Sequence, residues 1–340
     1  MKVLVTGHNG YIGQVMVPLL QSAGHQVSGL DTYFYEDCQF ADAPGGFETI
    51  RKDIRDVNES DLEGLDAIIF LAALSNDALG DLDPALTYDI NHQATVQFAE
   101  TAKRAGVGRF LFSSSCSLYG AQGEDALTEE AGLNPITPYG ESKINVERDL
   151  SRLADDSFVP TYLRNATAYG LSPSLRIDLV VNNLTAYALT TGEVLMKSDG
   201  MPWRPLVHIE DISRAFLAAM EADPKVVCDV PFNVGINEEN YRIREVAEMV
   251  RDVVPNSRVE FAKDASPDKR NYRVNFDRIN AALPAFKPIW TVEKGIQELY
   301  AAYKQHGLTA EELESARYLR IKTILRHKEA GRLDPRLCWQ

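Results

Sequence analysis

Tyr139 and Lys143 stand four positions apart in the run Tyr139-Gly140-Glu141-Ser142-Lys143. On a helix that spacing places both side chains on one face, roughly 5–6 Å apart at Cβ. A free phenol ionises near ~10, out of reach of a base working at neutral pH. An ammonium held close favours the phenolate and draws that value toward the working range. Upstream, Ser113-Ser114-Ser115 ends an apolar run, and a hydroxyl at a strand end can hold the same substrate oxygen. Together these residues suit the removal and return of an alcohol proton while a separate group takes the hydride. Taken alone, the Tyr-x-x-x-Lys spacing is equally that of a surface pair, and the amino-terminal end of the chain decides between the two.

There, the short apolar run Val3-Leu4-Val5 leads into Thr6-Gly7-His8-Asn9-Gly10-Tyr11-Ile12-Gly13 and then an amphipathic helix through Val15, Val17, Leu19 and Leu20 to Gly24. Glycines at 7, 10 and 13 between a strand and a helix permit a tight turn, a close approach of backbone amides to a diphosphate, and packing of helix on strand. The helix N-terminus adds a field that favours phosphate. Gly7, Asn9, Gly10, Tyr11, Ile12 and Gly13 are the candidate cofactor contacts. A second strand, Val27 to Leu30, ends in Asp31, 24 residues beyond Gly7, where a dinucleotide fold places the acid that binds ribose hydroxyls. A carboxylate there repels a 2′-phosphate, so the expected preference is NAD over NADP; a solvated loop aspartate is the alternative.

The elements that must position these residues follow in order. Phe47 to Ile50 reads as a third strand, with Asp53-Ile54 placed to cradle adenine. Ala67 to Leu71 reads as a fourth, ending in Leu71-Ala72-Ala73, whose small residues suit backbone contact with a cofactor. A long helix is expected from about Pro84 to Ala105, carrying Asn91. Arg109 to Phe112 forms a fifth strand and delivers Ser113, Ser114 and Ser115 at its carboxyl end, where ligands gather in open α/β sheets. The Tyr139 helix is entered through Pro138, and Val159 to Leu163 is a sixth strand. Strand–helix alternation predicts an α/β fold with a doubly wound parallel (Rossmann) sheet. The expected organisation is a dinucleotide-binding domain over 1–165, a smaller mixed α/β substrate region over 166–308 interleaved with it, and a helical extension over 309–340. Arg204 and Arg270 are the candidates to grip a diphosphate. The extension opens on a capping box, Thr309 to Glu312, and is expected as a mixed-charge helix to about Gly331, with Trp339 as an anchor or else as a solvated tail.

Composition bounds the rest. At 340 residues the chain suffices for a sizeable core, and its 45% hydrophobic and 25% charged content are ordinary for a globular protein. A formal net charge of −14 argues against nucleic acid as partner. Four scattered cysteines and no His at ligand spacing indicate neither a disulfide framework nor a metal site. No apolar run approaches the 18 residues of a membrane span, and a cytoplasmic location is expected.

In this order the motifs resemble the extended short-chain dehydrogenase/reductase family, in its nucleotide-sugar epimerase/dehydratase branch, over roughly residues 1–305. The resemblance rests on the three glycines, Asp31, Asp53-Ile54, Asn91, Ser113 to Gly120, Tyr139 with Lys143, Leu163-Arg164 with Tyr169-Gly170, Trp203 to Asp211, and Phe232 to Gly235. It implies Tyr139 as catalytic acid/base, Lys143 as the residue that lowers its pKa and binds the nicotinamide ribose, and Ser115 as the hydroxyl that orients substrate. It further implies NAD held by Gly7, Asn9, Gly10, Tyr11, Ile12, Gly13, Asp31, Asp53, Ile54, Leu71, Ala72, Ala73, Asn91, Ser113, Tyr139 and Lys143. A nucleotide-diphosphate sugar would face Ser75, Ser115, Thr167, Asn183, Arg204 and Arg270. A homodimer through the helices near 84–105 and 139–155 is implied too. Two departures matter: the Asp-Glu pair of the branch's 4,6-dehydratases is replaced by Cys116 and Ser117, which speaks against dehydration, and Thr167 stands where the family often has Asn. The resemblance therefore implies an NAD-dependent epimerase, most simply at C4. An NAD(H)-dependent keto-sugar reductase using the same residues and a non-catalytic NAD sensor are the alternatives.

Overall fold

The computed structural model describes every residue except 76–79, 81, 82, 122, 124, 197 and 262–270. Its strands, in chain order, are β1 Lys2–Thr6, β2 Gln26–Asp31, β3 Glu48–Arg51, β4 Ala67–Phe70, β5 Arg109–Ser115, β6 Ala126–Leu127 and β7 Val159–Asn165. There follow β8 Thr167–Tyr169, β9 Glu193–Met196, β10 Trp203–His208, β11 Val230–Val234, β12 Asn240–Arg242, β13 Arg258–Phe261 and β14 Arg273–Val274. Seven of them form one sheet in the order β11-β7-β5-β4-β1-β2-β3, parallel at every pairing. The order reverses at β1, so the loops leaving β1 and β4 part on opposite sides and open a crevice at their carboxyl ends.

Alternation along each strand assigns the two faces. Val3 and Val5 join Ile69, Leu111 and Leu163 under Met16, Val17, Ile212 and Phe216 of helices Gly13–Ser22 and Ile209–Glu221. Leu4 turns the other way with Ile68, Phe70, Phe110 and Phe112, packing on Phe98, Val146 and Leu150 of the opposite helices. β4 and β7 are buried along their whole length, as sheet covered on both faces requires. A third core joins helices Val180–Thr191, Ile243–Val253 and Val292–His306 beside the small sheet β12-β10-β8. β11 returns from this half of the chain to the edge of the large sheet beside β7.

Two helices depart from their expected form. The stretch expected as one helix to Ala105 is α-helical at Pro84–Thr87, makes a π turn over Tyr88–Gln93, and resumes as α-helix at Ala94–Arg104. Asn91 sits in that turn, and an extra residue in the ladder re-aims its side chain. The extension is two helices, Ala310–Leu313 with its Thr309–Glu312 capping box and Arg320–Glu329. It is no solvated tail: Ile324, Leu333 and Leu337 are buried in the core under β1 and β4, and Trp339 Nε1 donates to Thr32 O at 2.6 Å.

Because Ile324 is fully buried in that core, Ile324→Ala is expected to lower the unfolding free energy by about 2–5 kcal/mol in urea titration. An unchanged midpoint would mean that the extension does not share the core.

Candidate active site

The crevice at the carboxyl ends of β1, β4, β5 and β7 is a cavity of about 1090 Å³. Among the residues singled out in the sequence, Gly7, Gly10, Tyr11, Ile12, Gly13, Asp31, Asp53, Ile54, Leu71, Ala72, Ala73, Ser113, Ser115, Tyr139 and Lys143 line it. Ser75, Thr167, Asn183 and Arg204 line it as well. Arg270 lies outside the described residues.

Helix Pro138–Ser151 carries the Tyr–Lys pair. Thr137 caps it, accepting from Gly140 N, and proline occupies its first turn, a residue whose missing N–H costs nothing there. Lys143 is 3% exposed. Its Nζ donates to Ser113 O at 2.7 Å and lies 5.5 Å from the centre of the Tyr139 ring. Burial pushes the ammonium down to about 7, against the pull of the Glu147 carboxylate one turn further along. Ser115, at the end of β5, accepts hydrogen bonds from Ser117 N at 3.2 Å and Ser117 Oγ at 2.9 Å. Tyr139, Lys143 and Ser115 thus line one cavity.

A desolvated network fixes this helix to the sheet. Glu147 receives Arg164 Nη2 at 2.6 Å, Arg164 Nε at 3.0 Å and Ser114 Oγ at 2.5 Å. Arg164 Nη1 goes on to Tyr119 Oη and Glu129 O, both at 3.1 Å. Cys116, beside Ser115, is turned into this network with its thiol directed at Arg164 O, and burial pushes that thiol far above its ordinary range. It is neither exposed nor acidic enough to serve as a catalytic acid.

At the other end of the crevice, Gly7 has φ +73°, and a Cβ there would come within 3.1 Å of Ala72 N, so only glycine fits the turn. Asp31 accepts from Tyr33 N at 2.6 Å and Asn9 N at 3.0 Å. Burial raises its carboxyl above the usual range despite those donors and the neighbouring His8. Asn9 and Asn91 stand back from the wall. Asn9 gives its side-chain oxygen to Gln14 Nε2 at 2.9 Å. Asn91, 1% exposed, brackets Leu74 by accepting from its N at 2.7 Å and donating to its O at 3.1 Å. Asn91 thereby holds backbone that lines the crevice.

On the substrate side, Asn183 Nδ2 donates to Ile177 O at 3.0 Å, and Arg204, 5% exposed, sends Nη1 to Trp203 O at 2.8 Å. Arg176, Asn165, Tyr35 and Arg320 also line the wall without having been assigned to the site from sequence. Arg176 pairs with Asp178 through Nη2 at 2.6 Å and Nε at 3.0 Å, and its Nη1 reaches Ser75 Oγ at 3.2 Å. Asn165, ending β7, keeps its side-chain oxygen buried without a partner. Tyr35 and Arg320 come from the loop after β2 and from the extension. The Arg176-Ile177-Asp178 cluster and the position of Asn165 at a strand's carboxyl end were readable signals; Arg320 had none.

The sequence model of the NAD dependent epimerase/dehydratase family matches residues 3–235. A UDP-glucose 4-epimerase of Corynebacterium glutamicum is 28% identical over 268 residues, covering 74% of this chain and 80% of that protein. UDP-glucuronic acid decarboxylase 1 of Arabidopsis thaliana is 25% identical over 326 residues, covering 92% and 72%. Among solved structures, MoeE5 in complex with UDP-glucuronic acid and NAD superposes with a TM-score of 0.78 at 25% identity, covering 90% of this chain and 99% of that one.

Arg164→Met leaves the Glu147 carboxylate buried without its cation. It is expected to cost about 3–5 kcal/mol of stability, read as the shift of the denaturant midpoint, and a loss below ~1 kcal/mol contradicts a desolvated pair.

Proposed function

Since the chain belongs to the NAD dependent epimerase/dehydratase family, we propose that it interconverts two C4 epimers of a nucleoside-diphosphate sugar through a transient keto sugar. Uridine is the nucleoside favoured by the named relatives. The residues present fit the family's cofactor: a glycine turn open to a diphosphate, Asp31 for ribose hydroxyls, small residues at Ala72 and Ala73, and Lys143 beside Tyr139. When bound, NAD supplies the hydride acceptor and returns the hydride.

The observation that carries the proposal is the convergence of Ser115, Tyr139 and Lys143 on the crevice that also holds the glycine turn and Asp31. Tyr139 as phenolate takes the hydroxyl proton from the sugar and gives it back when the ketone has turned over its other face. Lys143 holds positive charge beside the ring and so stabilises the phenolate. Ser115 already accepts two hydrogen bonds from Ser117, which leaves its own proton for the sugar oxygen. No carboxylate follows Ser115, and Cys116 is sealed away, so the acid–base pair that expels water from a sugar is absent from positions 116 and 117. The extension packed along the loop after β2 favours a retained cofactor, hence the epimerase over a reductase that must exchange NADH at each turnover. Pairing of two copies across the helices near 84–105 and 139–155 belongs to the same proposal. Exposed Gln97, Glu100 and Arg148 make that face polar, and sedimentation as a monomer at micromolar concentration contradicts it.

Tyr139→Phe is expected to lower kcat on UDP-glucose and UDP-galactose by about 10²–10⁴-fold while bound NAD per chain stays at the wild-type level. Turnover within threefold of wild type removes Tyr139 from the mechanism. In Lys143→Met the cation is gone, so the phenol returns toward ~10. A base works only when deprotonated, so activity falls as pH drops through its pKa, and raising that pKa moves the fall to higher pH. The acid limb of kcat/KM should shift alkaline by one pH unit or more, and an unmoved limb contradicts the cation's role.

A further inference from the structure

Arg320 opens helix Arg320–Glu329 and is 2% exposed, yet it lines the crevice. Its Nη2 donates to Ser174 O at 2.9 Å and Ser174 Oγ at 2.6 Å. The guanidinium lies over the Tyr35 ring, 4.1 Å from its centre. Nη1 is buried with no hydrogen-bond partner, and no carboxylate forms an ion pair with Arg320 among the described residues. The neighbouring cation, Arg176, differs: both its forks are taken, by Asp178 and by Ser75. A guanidinium brings donors in a fixed fork that matches a phosphate, and a buried charge left without a counter-ion is costly. Arg320 thus keeps one buried donor without a partner, with the Asp31 and Asp178 carboxylates in electrostatic reach but in no ion pair with it among the described residues, and an anion in the crevice would answer that donor.

Its surroundings say which anion. Tyr35 lies four residues beyond Asp31, in the loop whose carbonyls hold the extension. Trp339 Nε1 donates to Thr32 O, His327 Nε2 to Phe34 O at 2.9 Å, and Arg317 Nη2 to Gln39 O at 2.6 Å. On its other side the extension meets the loop after β8 through Ser174 and through Ile177 N, which donates to Tyr318 O at 3.2 Å. The extension therefore bridges two loops beside the crevice end that holds Asp31.

We propose that Arg320 grips the diphosphate of the bound dinucleotide through Nη1, and that residues 310–340 form a built-in cover that retains this cofactor. The inference rests on the reading of the crevice as the NAD site. It adds a residue and a segment outside residues 3–235 that the family model matches. The sugar nucleotide carries a diphosphate too, and the test separates the two.

The experiment measures release of NADH from the full-length protein by stopped-flow fluorescence with excess NAD as chaser, and UDP affinity by calorimetry. Wild type is compared with Arg320→Met, which keeps the bulk over Tyr35 and removes the charge, and Arg320→Lys, which keeps charge and loses the fork. Dissociation at least tenfold faster in Arg320→Met, an intermediate rate in Arg320→Lys, and UDP affinity within twofold of wild type are expected. An unchanged NADH rate, or weakened UDP binding with NADH retention intact, overturns the assignment. Amide exchange on wild type alone gives a second reading that needs no variant: NAD should slow exchange across 313–329, and identical exchange with and without it contradicts the cover. A wild type that binds no dinucleotide at all refutes the cofactor reading itself, whereas tight wild-type binding that Arg320→Met leaves untouched refutes only this inference.

Discussion

A charge taken out of water must be answered nearby, and three such charges meet behind the crevice. Glu147 is held by two bonds from Arg164 and one from Ser114, and its field partly offsets the burial that pushes the Lys143 ammonium down to about 7. The arrangement is rigid because breaking any part strands a buried ion. It also ties helix Pro138–Ser151 to the ends of β5 and β7, one turn below Lys143 and two below Tyr139. The position of the phenol in the crevice thus depends on a salt bridge whose partners do not line the crevice.

The parallel sheet supplies the other half of the geometry. Reversal of strand order at β1 opens the crevice, and side chains at the carboxyl ends of β1, β2, β4, β5 and β7 point their chemistry into it. The glycine turn demands positive φ at Gly7 and close passage by Ala72, so the amides there are brought to the cavity wall with no side chain between. Asp31 and Lys143 line this same crevice, and they are the residues that would hold a dinucleotide there.

Much of this was legible in sequence because it is local. The glycine spacing, Asp31 at a strand end, the serines ending β5 and the i, i+4 pair each declare themselves within a few residues, and the strands that carry them are apolar runs of the right length. What was not legible comes from distance or from backbone detail. Asn91, expected as a cofactor contact, sits in a π turn and bonds Leu74, and nothing in Tyr88–Gln93 signals that turn. The extension read as one mixed-charge helix or a tail because Ile324, Leu333 and Leu337 are too sparse to announce a buried face, and the core they join is built from distant stretches of chain. Arg320 meets Tyr35 and Ser174, the latter 146 residues away along the chain. Arg270, expected to grip the substrate, falls outside the described residues.

In the proposed reaction one carbon of the sugar is oxidised and reduced again within the same crevice. The most direct test follows deuterium on that carbon, using UDP-glucose and UDP-galactose labelled at C4. The account predicts epimerised product that keeps its deuterium at C4, with no label in water or in free NADH and no net change in nicotinamide absorbance. Label washed into solvent, label accumulating on free NADH, or no turnover of either sugar by NAD-loaded protein would contradict it.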